Sequence, residues 1–152
     1  MLMRFMRFPG GKSRALTLSY DDGVIQDIRL IEILKKHGIK CTFNINSGLF
    51  PPEEKVFPEG TTHRRLKQSE VLQVYDSELC EVACHSYSHP FLAKCDPAMV
   101  TNEVLEDRKA LEALFGHPVQ GMAYPQGSYS DMVVQVLENC GIRYCRTVVS
   151  TE

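Results

Sequence analysis

The stretch Leu16-Thr17-Leu18-Ser19-Tyr20-Asp21-Asp22-Gly23 is a strand-like run that ends on two adjacent carboxylates and a glycine. Its counterpart is His85-Ser86-Tyr87-Ser88-His89-Pro90, where two imidazoles sit four positions apart after a second apolar run. One carboxylate and two histidines form a donor set suited to a divalent metal, and the other carboxylate is left over for chemistry. On a strand, Asp21 and Asp22 point to opposite faces, so a turn is required for both to serve one site. Gly23 makes such a turn easy to adopt.

The rest of the chain supplies alternating strands and helices. Residues 14–20 read as a first strand stopped by Asp21-Asp22-Gly23. From Ile25, apolar residues recur at 28, 31 and 34, and Gly38 closes that helix. Residues 40–46 read as a second strand, and Pro51, Pro52, Pro58 and Gly60 make 50–62 a loop. A short helix is predicted over 69–76 and a third strand over 81–85, with Pro90 preventing a regular ladder beyond His89. Asp96 caps the next helix, Pro97 takes its first position, and Val100, Val104, Leu111, Leu114 and Phe115 form its stripe up to Gly116. A fourth strand at 120–124 turns through Pro125-Gln126-Gly127-Ser128. Ser130 caps a helix carrying Met132, Val133, Val136 and Leu137, Gly141 closes it, and 142–149 form a last strand.

This alternation predicts an α/β fold built from βαβ units, with about five mainly parallel strands and flanking helices. Such sheets bind ligands at the carboxyl ends of their strands. Asp21/Asp22, His85/His89 and Pro125-Gln126-Gly127 all fall at those ends, which is stronger evidence than any one motif. Asp-Asp-Gly alone is a common turn, and a lone pair of histidines is often incidental. His37 reads as a helix-terminal interaction, and His117 and His63 as loop residues.

Composition bounds the function. A chain of 152 residues suits one domain, 1–152, with a real core. With 43% hydrophobic and 24% charged residues it reads as an ordinary globular protein. A net charge of -2 without a basic block argues against nucleic acid as partner, and His63-Arg64-Arg65 with Lys67 is too short to reverse that. Residues 1–8 are interrupted twice by arginine and read as a short ordered arm rather than a targeting segment. No stretch is long enough to span a bilayer, so no membrane partner and a cytoplasmic location are expected. The six cysteines, Cys41, Cys80, Cys84, Cys95, Cys140 and Cys145, contain no CxxC pair and are expected to be reduced core thiols.

With these motifs assembled, the sequence resembles the polysaccharide deacetylase family, the NodB-homology or carbohydrate esterase family four group. Ser19-Tyr20-Asp21-Asp22-Gly23 is similar to that family's T-F-D-D-G motif, and His85-Ser86-Tyr87-Ser88-His89 to its H-S/T-x-x-H motif. Met122-Ala123-Tyr124-Pro125-Gln126-Gly127 resembles a variant of its third motif, with Ala123 in place of arginine and Gln126 in place of tyrosine.

The resemblance implies that Asp22, His85 and His89 hold a divalent metal, zinc first, with cobalt or another ion able to substitute. It implies that Asp21 is the base acting on water at that metal. The Gln126 backbone N–H would stabilise the oxyanion, and Tyr124 and Pro125 would contact substrate. The implied fold is an incomplete, distorted (β/α) barrel that lacks its C-terminal third. With it goes a histidine, in a Leu-x-His context, that protonates the leaving amine. The implied reaction is removal of N-acetyl or O-acetyl groups from an amino-sugar, oligosaccharide or polysaccharide. A catalytically silent metal-binding or assembly module and a hydrolase of non-carbohydrate amides are the alternatives. The last strand has no helix after it, so the open sheet edge is expected either to mark an incomplete fold or to be covered by a second chain, as in a homo-oligomer.

Overall fold

The structure is a computed structural model that describes residues 7–150; the arm expected over 1–8 lies almost wholly outside them. Five strands run parallel in chain order, β1 (Ser19–Asp21), β2 (Cys41–Ile45), β3 (Cys80–Cys84), β4 (Gly121–Ala123) and β5 (Tyr144–Arg146). Between them lie α1 (Gln26–His37), α2 (Gln68–Tyr75), α3 (Pro97–Phe115) and α4 (Asp131–Asn139). The expected α/β architecture is therefore observed.

Strand alternation sorts the side chains. Phe43 and Ile45 of β2, Val82 and Cys84 of β3 and Met122 of β4 are all buried on the helix side. They join Ile31 and Leu34 of α1, Val71 and Tyr75 of α2, Val100, Val104 and Leu111 of α3, and Val133 and Leu137 of α4 in one core. Each such side chain contributes about 1.5–3 kcal/mol by leaving water. The other face carries Ser19, Thr42, Asn44, Glu81, Tyr144 and Arg146, which line a concave cavity of ≈ 350 Å³.

The sheet is strongly rolled. β1 and β5 are its two edges, which in a flat sheet would lie roughly 19 Å apart. Yet Arg146 Nε of β5 donates to Ser19 Oγ of β1 at 3.1 Å. The five strands thus form a curled half-barrel, with the two edge strands bridged by a side chain at the carboxyl rim.

Helix signals were largely legible. Asp96 Oδ1 accepts the Met99 N–H at 2.9 Å, Pro97 opens α3, and Gly116 ends it in the left-handed region. Ser130 caps α4 through the Val133 N–H at 3.4 Å. The α1 stripe differs from expectation: Ile28 is exposed, and the buried positions are Asp27, Ile31 and Leu34. Asp27 is inward because Tyr75 donates its hydroxyl to the Asp27 carboxylate, which also accepts the Val24 N–H. Burial pushes the Asp27 carboxyl up, against the pull of Tyr75 and Val24.

Four strands are shorter than their patterns, β2 and β4 by one residue at each end and the two edge strands by more. Residues 14–18 form no ladder, although Leu18 O still accepts the Thr42 N–H at 2.9 Å. Leu16 is exposed, so nothing on that side rewards pairing. β5 likewise ends at Arg146, not at Val149. All six cysteines are free thiols, as expected, and Cys41, Cys84 and Cys140 are buried.

Candidate metal centre

Three loops leave the carboxyl ends of β1, β3 and β4. They contain all four non-glycine residues with positive φ among those described: Asp22 at 79°, Ser86 at 61°, His89 at 62° and Gln126 at 56°. Such backbone persists only where surrounding contacts enforce it. The turn that brings both aspartates to one site starts at Asp22 itself and continues through Gly23, whose φ is 63°.

Asp22, His85 and His89 each offer a ligand atom, and these atoms lie within 4.8 Å of one another. The Nε2 atoms of His85 and His89 are 3.1 Å apart, and Asp22 Oδ1 is 3.8 Å from His89 Nε2. His85 Nδ1 lies 2.9 Å from the Ala123 carbonyl oxygen. That acceptor assigns the His85 proton to Nδ1 and leaves a lone pair on Nε2, the arrangement a metal-binding histidine requires. Burial lowers the His85 pKa and outweighs the opposing pull of Ala123 and Asp21, which favours the neutral ring. Two imidazole lone pairs and a carboxylate converging this closely form a donor set that fits a divalent ion such as zinc.

The loops are held by residues that local pattern did not single out. Arg65 donates to Asp22 Oδ1 and to the Asp22 carbonyl, each at 2.7 Å, and to Asn46 Oδ1 at 2.8 Å. Asn46, fully buried at the end of β2, donates in turn to the carbonyls of His85 and Ser86. Arg65 and Asn46 therefore tie the Asp-Asp-Gly turn to the histidine loop. From beneath, α3 contributes two buried acids. Glu103 accepts Ser88 N and Oγ at 2.7 and 2.6 Å, and Asp107 accepts Ser47 N, Ser47 Oγ and His85 N. Burial pushes the Asp107 carboxyl up to about 6 against those donors.

Asp21 sits beside the triad, with Oδ2 4.0 Å from His85 Nε2. Asn44 Nδ2 donates to its Oδ1 at 2.9 Å, and Arg146 Nη2 donates to its Oδ2. Ala123, which stands where an arginine was expected, contributes its carbonyl to His85 instead.

The third motif divides. Gln126 sits in the turn after β4, and among the described hydrogen bonds its N–H has no acceptor. Pro125 is buried. The Tyr124 ring stacks on Tyr129 at 5.0 Å, and the residue lines a small cavity together with Leu137, Glu138, Ile142 and Cys145. It is a packing residue under α4 and is not directed at the triad, because it projects to the helix side of the sheet. His63 and His117 are exposed loop residues, as expected.

Some of these supports left a trace in the sequence. Asp107 occupies the gap between Val104 and Leu111 in the α3 stripe, and an acid at a core position is a signal. Asn44 and Asn46 alternate at the end of an otherwise apolar strand. Arg65 and Arg146 carry no local signal.

The sequence pattern of the polysaccharide deacetylase family matches residues 4–145, and the chain belongs to that family. It is 25% identical over 142 residues to the peptidoglycan-N-acetylglucosamine deacetylase PgdA of Listeria monocytogenes, covering 92% of this chain and 27% of that protein. It is also 25% identical to the chitooligosaccharide deacetylase of Rhizobium leguminosarum bv. phaseoli, covering 82% of this chain and 48% of that one. The crystal structure of a polysaccharide deacetylase from Bacillus cereus superposes with a TM-score of 0.75 at 21% identity, over 90% of this chain and 41% of that one. The chain thus spans about a quarter to a half of the length of these relatives.

Proposed function

We propose that this chain carries the metal-binding and proton-accepting half of a deacetylase site for N-acetylated amino-sugar oligomers. The convergence of Asp22, His85 and His89 beside a separately held Asp21 carries the reading. The relatives named for peptidoglycan N-acetylglucosamine and chitooligosaccharide support that substrate class.

Asp22, His85 and His89 would hold a divalent ion, zinc being the best match to two imidazoles and a carboxylate. When bound, such an ion supplies Lewis acidity and acidifies water near neutral pH. Asp21 accepts a proton from the attacking water, its carboxylate steadied by Asn44 and Arg146. The Gln126 N–H donates to the oxygen of the acetyl carbonyl as negative charge develops there. The His85 ring, anchored through Nδ1 on the Ala123 carbonyl, would offer its Nε2 lone pair to the ion. The product is acetate and a free amine.

The test is metal content of the purified protein, followed by acetate release from N-acetylglucosamine oligomers. Bound zinc that disappears in Asp22→Ala supports the reading. Metal occupancy unchanged in that variant overturns the ligand assignment.

A further inference from the structure

We infer that Cys41 and Cys80 are a dithiol site that closes reversibly into a disulfide, cross-linking the starts of β2 and β3. The inference is independent of the metal-centre reading. The two thiols lie at the amino ends of their strands, away from the rim that carries Asp22, His85 and His89.

The pairing follows from register. Cys41 and Cys80 are directly opposed partners in the parallel β2–β3 ladder, and the Cys41 N–H fixes that register by donating to the Leu79 carbonyl at 2.9 Å. Cys84 and Cys145 each face Met122 instead. Neighbouring strands lie about 4.7–4.9 Å apart, within the Cα separation of about 4.4–6.8 Å that a disulfide spans. Strand alternation sends both side chains to the helix side, Cys41 in phase with Phe43 and Ile45, Cys80 in phase with Val82 and Cys84.

Access divides the roles. Cys41 is buried and Cys80 is half-buried, and both line a cavity of ≈ 390 Å³ together with Lys40, Thr42, Leu79 and Glu81. Burial raises both thiols, Cys41 to about 11, while at Cys80 Lys35 and Ser77 oppose the rise. Cys80 is therefore the attacking thiol and Cys41 the resolving one. With a peroxide as oxidant, the Cys80 thiolate attacks one oxygen, the O–O bond breaks, and hydroxide leaves behind a sulfenic acid. The Cys41 sulfur then attacks that sulfur, the S–S bond forms as the S–O bond breaks, and water departs. Two electrons and two protons pass from the thiol pair to one peroxide, which becomes two waters.

The bond is built to reopen. Side chains on directly opposed parallel strands leave side by side, so their Cβ atoms stay about 4.8 Å apart, wider than the roughly 3.5–4.5 Å of a relaxed disulfide. Closing the bridge draws the strand starts together, and the resulting strain makes it easy to reduce.

The test treats the folded, fully reduced wild-type chain with hydrogen peroxide, blocks the remaining thiols and maps the peptides. Two of the six thiols are expected to disappear, the chain to stay monomeric and lose two hydrogen atoms, and the linked peptides to join Cys41 to Cys80. Dithiothreitol should restore all six. The linked form should unfold in urea at a midpoint higher by about 1 M, since the bridge closes a long loop in the unfolded chain. Cys41→Ser and Cys80→Ser should each abolish the link, and where either variant fails to fold the wild-type peptide map decides alone. Cys41 and Cys80 left unlinked after peroxide, a link to any other cysteine or between two chains, or a linked form no more stable than the reduced one overturns the inference.

Discussion

Asp107 Oδ2, on α3, accepts the backbone N–H of His85 at 2.9 Å, and its Oδ1 accepts both the N–H and the hydroxyl of Ser47 at 2.7 Å. One fully buried carboxylate thus fixes the start of the histidine loop and the turn that follows β2. Asp107→Ala leaves three donors without an acceptor, and each buried orphan costs about 1–3 kcal/mol. Urea unfolding should show a loss of at least about 3 kcal/mol, with a smaller loss in Asp107→Asn, which keeps one acceptor oxygen. Equal stability in all three proteins would contradict the assigned network.

The two adjacent aspartates should separate experimentally. Asp22→Ala is expected to empty the metal site. Asp21→Asn should retain the metal and, wherever acetate release is measurable, lower it about 10²- to 10⁴-fold, the usual worth of a general base. Metal analysis and turnover on the same samples decide it, and metal loss in Asp21→Asn would reverse the roles.

Gly48 is required by close approach. A Cβ there would fall 2.6 Å from both the Tyr87 ring and the Tyr87 carbonyl oxygen. The ring can swing aside, but the carbonyl accepts the Gly48 N–H at 3.1 Å and is held in the histidine loop. Gly48→Ala should cost about 1–3 kcal/mol. Because the displaced segment lies between His85 and His89, zinc affinity should fall as well. A stable variant with wild-type affinity would show that the loop has room to move.

Asp27 gives a pH signature with a definite sign. Its carboxyl is raised from the ordinary 3.8, chiefly by burial. The folded state therefore keeps a proton that the unfolded chain has already released. That contribution to stability is full below the ordinary value and is lost as pH rises through the raised one. The stability difference between wild type and Asp27→Asn, measured by urea unfolding from about pH 3 to pH 7, should shift against the wild type as pH increases. A difference that does not vary with pH would rule out a raised Asp27.

Much of the fold was legible because its signals are local. Asp96-Pro97, Ser130, Gly38 and Gly116 mark helix ends through bonds made within a few residues, and all four act where the pattern put them. Strand ends were less legible. Residues 14–18 have strand composition, but a ladder needs a neighbour, and no local pattern says which edge will have one. Tyr124 shows the same limit: its place in a motif suggested substrate, while its side-chain direction on the pleat sends it under α4.

By itself the sequence determined the order of strands and helices, the three rim motifs and the identity of the metal-ligand candidates. Those follow from periodicity, capping chemistry and donor type, which are properties of neighbouring residues. Tertiary structure decided which arginine holds each aspartate. Arg65 reaches Asp22 from the segment before α2, and Arg146 reaches Asp21 from the last strand. Neither partnership leaves a periodic trace, because a guanidinium recognises a carboxylate by geometry that exists only after the sheet has rolled and brought β5 against β1.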